Sequence, residues 1–125
     1  GVRPAQGGMG LDLEAWLGTE QGSQLWPGIV DEDEWGRLEG GARALGLDRA
    51  RGLTLVFSAK ESLFKALHPR VGRYFDFLDA RWLGMTAQSL TLELKVPLTP
   101  TLPAGWRCTL HWQPLPGGVL TTLLL

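Results

Sequence analysis

At 125 residues, 44% hydrophobic and 20% charged, the chain has the makeup of one globular domain large enough for a real core. Its net charge of −1 gives no long-range pull toward nucleic acid or anionic membrane, so an anionic ligand would need a local basic cluster. The single cysteine, Cys108, excludes an internal disulfide and a cysteine-based zinc site. No apolar run is long enough to span a membrane, and GVRPAQGG lacks a signal-peptide core, so a cytoplasmic location is expected.

After that lead-in, Met9-Gly10-Leu11-Asp12-Leu13-Glu14 alternates with period two, which predicts a strand with Met9, Leu11 and Leu13 on one face and Asp12 and Glu14 on the other. The two carboxylates then lie about 7 Å apart. Such a pair suits a hard cation such as Mg²⁺, which takes one or two carboxylates plus water and phosphate oxygens. It equally suits a strand whose outer face is wet and ends in acidic residues.

Residues 15–30 are rich in glycine and polar residues, anchored by Trp16 and Trp26 and closed by a Trp26-Pro27-Gly28 turn. The acidic run 31–34 precedes Trp35, Leu38, Ala42 and Leu45. That spacing predicts a helix over residues 32–45, its acidic start favoured by the helix dipole. A solvated helix start explains this run without invoking a metal. Gly46 and Asp48 end the helix, and Arg49 and Arg51 lead onward.

Residues 53–67, LTLVFSAKESLFKAL, hold the main anomaly. On a helix, Leu53, Val56, Phe57, Phe64 and Leu67 fall within roughly 60° of Lys60, while Ser58, Glu61, Ser62 and Lys65 share the polar side. Lys60 therefore sits mid-way along the apolar arc. It is either a snorkelling side chain or a lysine with a special task. Glu61 and Lys65 have the order that favours an i,i+4 ion pair. A second local reading makes LTLVF a strand and Ser58 the N-cap of a shorter helix, with Glu61 completing a capping box. Lys60 shares a face with Phe64 and Leu67 in both.

His68-Pro69 is expected to stop this helix. Residues 71–73 form a turn, and 74–80 read as a strand extended by Trp82, Leu83 and Met85. Three further strands are predicted at 89–96, 106–113 and 119–125, separated by proline- and glycine-rich turns. His68 reads as a helix C-terminal residue and His111 as a structural histidine in a strand. No nucleophile elbow, phosphate-binding loop or histidine metal pair is present.

GLDLE at residues 10–14, followed some fifty residues later by FSAKESLFK at 57–65, resembles the 4′-phosphopantetheinyl transferases. FSAKESLFKAL with YFDFLDA is similar to the siderophore-pathway branch typified by the enterobactin synthetase component. The likeness runs from Gly10 to about Ala80. It implies Mg²⁺-dependent transfer of phosphopantetheine from coenzyme A to a serine of an acyl or peptidyl carrier protein. Asp12, Glu14 and Glu61 match the metal-binding acids. Lys60 and Lys65 match the lysines that hold the pyrophosphate or assist deprotonation. Lys60, desolvated by Phe57 and Phe64, could accept the serine proton, and so could Glu61 or a metal-bound water.

Longer members of the family have two similar halves with the cofactor between them, and short members end in a His-Ser motif that this tail lacks. The chain therefore resembles the C-terminal half, with an α+β fold: an antiparallel sheet on a long central helix, and a second helix across it. A half-domain should expose an apolar face where its partner packed, which a homo-oligomer or the other half would cover. The alternative function is a non-catalytic half-domain that docks carrier protein or dimerises. A Mg²⁺-dependent hydrolase using the same acids lacks an obvious water-activating constellation.

Overall fold

The computed structural model describes residues 8–72 and 75–125. A five-stranded antiparallel sheet of order β1-β5-β4-β3-β2 carries its helices on one face. β1 is Met9–Ala15, β2 Ala80–Met85, β3 Ser89–Leu94, β4 Arg107–Leu115 and β5 Gly118–Leu124. The helices are α1 (Thr19–Leu25), α2 (Glu32–Arg43) and α3 (Arg49–Val71). α3 lies against β1 and β5, and α1 and α2 pack on α3. The α+β expectation holds. No helix among the described residues is long and apolar enough to cross a membrane.

The central stretch is helix throughout. Asp48 caps α3, its side chain accepting the Arg51 amide at 2.8 Å, so the strand-then-helix reading fails. Ser58 lies mid-helix and buried. Pro69 does not stop α3, which continues to Val71 and ends at Gly72 in the left-handed region, φ +67°, a conformation glycine takes without steric cost. Arg73 and Tyr74 lie outside the described residues. Where a strand was expected, Phe77–Asp79 forms a 3-10 turn whose Asp79 side chain accepts the Asp76 amide. Pairing starts only at Ala80. Thr19–Leu25 is a short helix inside the glycine-rich segment 15–30, for which no element was predicted.

The faces of β1 are reversed relative to the hydrophobic pattern. Met9 (63% exposed), Leu11 (52%) and Leu13 (61%) point to solvent, and Asp12 (4%) points inward. Leu124 extends this exposed apolar row through its pairing with Met9. Gly10 makes the reversal possible: a Cβ there would overlap the Ser62 carbonyl oxygen, so only glycine lets β1 lie directly on α3. The core behind it joins Leu53, Val56, Leu63 and Leu67 of α3 to Leu90, Leu92, Leu94, Leu110 and Leu123 of the sheet.

The α3–sheet seam is not wholly apolar. Thr121 lies opposite Asp12 in the β1–β5 ladder. Its hydroxyl meets those of Ser58 and Ser62 at 2.9 and 2.7 Å and donates to the Ser58 carbonyl oxygen. Each of these buried groups is satisfied, as burial requires.

Candidate active site

Two ionic clusters flank α3, and Lys60 and Lys65 belong to different ones. Lys60 is fully buried. Its Nζ donates to the carbonyl oxygens of Ile29 at 2.7 Å and Phe77 at 2.9 Å, and lies 3.2 Å from Glu34 Oε2. All three ammonium protons thus have acceptors. Burial pushes the Lys60 pKa below its ordinary value, opposed by the Glu34 carboxylate. The Lys60 of the expected coenzyme-binding and proton-accepting role is, in this structure, a cross-link between the Ile29 segment, the Phe77 turn and α2. It neither snorkels nor reaches the acids of β1.

Glu34 is the residue the sequence reading missed. The run 31–34 does start a helix: Asp31 caps α2, its side chain accepting the Glu34 amide at 2.8 Å, and Glu34 Oε1 accepts the Asp31 amide at 2.9 Å. Glu34 is nonetheless fully buried, and its second oxygen also accepts the Trp82 amide at 2.9 Å. Lys95 reaches the same corner through Asp31 Oδ2 at 3.1 Å. The spacing Asp31-x-x-Glu34 carried the capping box in plain view. Its link to Lys60 is tertiary.

The other cluster gathers the remaining candidates. Lys65 Nζ sits 2.8 Å from Asp12 Oδ1 and donates to the Leu11 carbonyl oxygen at 3.0 Å. It pairs across to β1, so the expected Glu61–Lys65 pair along the helix does not form. Asp12 Oδ2 is buried with no hydrogen-bond partner. Burial first, then the adjoining Asp12 carboxylate and the Glu61 charge, push Glu14 up to about 7, with Lys65 opposing. Burial and Asp12 likewise raise Glu61. Its hydrogen bond to Asp12, supported by the three acids' charges, raises Lys65. A shallow hollow of about 260 Å³, lined by Leu13, Glu14, Ala15 and the turn 115–118, opens beside Glu14.

With all three acids ionised, their carboxylates against one ammonium leave two negative charges in excess. The chemistry of a hard divalent ion fits: oxygen donors, a charge deficit of two, and a buried Asp12 oxygen without a partner. Among the described residues no group of three or more His, Cys, Asp or Glu side chains is placed to hold a metal ion. Mg²⁺ does not require one, because it keeps waters and phosphate oxygens in its coordination shell. Cys108, buried and pushed up to about 12, is an inert core thiol. His111 is exposed on β4.

The family model described as the 4′-phosphopantetheinyl transferase superfamily matches residues 8–116. The chain is 33% identical over 94 residues to a Salmonella typhimurium protein named enterobactin synthase component D, a match covering 75% of this chain and 38% of the relative. It is 31% identical over 113 residues to the Salmonella typhi protein of the same name, covering 90% of this chain and 46% of the relative. The chain thus spans less than half the length of these curated relatives. With GLDLE on β1 and KESLFK on α3 brought edge to edge, the chain belongs to the 4′-phosphopantetheinyl transferase superfamily.

Proposed function

We propose that this chain transfers 4′-phosphopantetheine from coenzyme A to a serine of an acyl or peptidyl carrier protein, and supplies the metal and diphosphate end of the site. The nearness of Glu14 and Glu61 to Asp12, whose charge raises both and whose buried Oδ2 has no partner, supports this reading. Those three acids would hold Mg²⁺, which when bound would neutralise diphosphate charge. Lys65 supplies the remaining positive charge. The serine Oγ attacks phosphorus, its proton passes to a base, and the bond to the nucleotide bisphosphate breaks. Of the proton acceptors expected (Lys60, Glu61 or a metal-bound water), Lys60 has its three protons committed to buried acceptors. Glu61 takes that role. Lys60 instead fixes the turn of α3 that presents Glu61.

The short span against the relatives and the exposed row Met9, Leu11 and Leu13 favour a second reading, a half-domain that needs another half or a second copy and only docks carrier protein by itself. Thermal melting with Mg²⁺ and coenzyme A tests the site. The proposal expects joint stabilisation that disappears in Glu61→Gln. Equal stabilisation of the variant would refute the assignment.

A further inference from the structure

Asp12 holds one cation and has one oxygen to spare. Its side chain is buried to 5% exposure, so few groups can reach it, yet Oδ1 already holds the Lys65 ammonium at 2.8 Å while Oδ2 has no partner. Lys65 is 50% exposed, so its long stem has room to turn away, which the fully enclosed Lys60 does not. An ammonium and a divalent ion crowded on one carboxylate repel each other, and in a partly buried site water screens that repulsion poorly. Once displaced, the same ammonium stands beside whatever anion the metal recruits.

We infer that Lys65 is an internal competitor for the metal position at Asp12, displaced by the divalent ion and turned onto the diphosphate of the incoming ligand. This rests on the metal reading above and adds a coupling to it. The metal alone binds weakly because it must evict Lys65. Metal and diphosphate together bind cooperatively because the evicted charge is reused. Lys65 acts as an order-setting residue: it makes a metal without its diphosphate ligand a poor occupant.

The test is Mn²⁺ titration of the full 125-residue chain, followed by the EPR signal of the free ion, with and without coenzyme A, at a pH where Glu14 is ionised. Lys65→Met should bind Mn²⁺ alone about tenfold more tightly than the wild type and should lose the gain in Mn²⁺ affinity that coenzyme A gives. Lys65→Arg, which keeps the charge, should retain both the weak binding and the gain. If Lys65→Met binds Mn²⁺ alone no better than the wild type, while Glu61→Gln weakens binding, the competition is overturned and the metal site stands. If neither wild type nor Lys65→Met binds Mn²⁺, both fall.

Discussion

Lys60→Met is the most informative stability variant, because it separates a structural lysine from a catalytic one. The substitution leaves the Glu34 carboxylate buried without its counter-charge and strips the Ile29 and Phe77 carbonyl oxygens of their donor. Removing one partner of a buried ion pair costs roughly 3–5 kcal/mol, against a total stability of roughly 5–15 kcal/mol for a domain. Replacing both charges in Lys60→Met/Glu34→Gln removes the uncompensated charge and leaves one carbonyl oxygen for either the Asp31 or the Trp82 amide. That double variant should recover at least about 2 kcal/mol of the summed single losses. Urea unfolding of the four proteins, followed by tryptophan fluorescence, gives the cycle. A Lys60→Met loss below about 1 kcal/mol, or strict additivity, would refute the cross-link.

Gly10→Ala should cost more than about 2 kcal/mol, because the new Cβ meets the Ser62 carbonyl oxygen and forces β1 off α3; urea unfolding checks it, and a loss below about 0.5 kcal/mol would remove the close approach from the account. The pH dependence follows from Glu14. Its folded pKa, about 7 against an ordinary 4.5, means the folded state holds a proton that the unfolded chain has released. Stability from this group is therefore present below about pH 4.5 and lost as pH rises through 7. The loss is at most about 3 kcal/mol and smaller after solvent screening. Unfolding of wild type and Glu14→Gln across this window should show the difference narrowing on the acid side; a wild type that gains on the variant as pH rises would contradict the sign.

The sheet tail, α2 and the long α3 follow from periodicity and capping residues, and α+β architecture follows from them. β1 shows where periodicity fails. Met9, Leu11 and Leu13 read as the buried face because they are apolar, yet Gly10 and Asp12 face α3. Strand alternation fixes which residues share a face; which face is covered depends on what packs there. The same limit hid the Lys60 partner. The helical arc marked the lysine as anomalous, but Glu34 lies on another helix, and a buried carboxylate in an acidic helix start looks like a solvated one. Asp12, Glu14, Glu61 and Lys65 were legible as a set only through the family resemblance. Their geometry refines it: Lys65 turns to Asp12 across the seam, because a buried carboxylate holds an ammonium more strongly than Glu61 does along the helix surface.

The central claim is that the seam between β1 and α3 transfers phosphopantetheine. Its most direct test is mass spectrometry of a carrier protein incubated with this chain, coenzyme A and Mg²⁺, beside the same reaction with Glu61→Gln. The account predicts that the carrier gains the mass of one phosphopantetheine arm with the wild type and nothing with the variant. An unmodified carrier from folded wild-type protein, or an undiminished gain with Glu61→Gln, would contradict it.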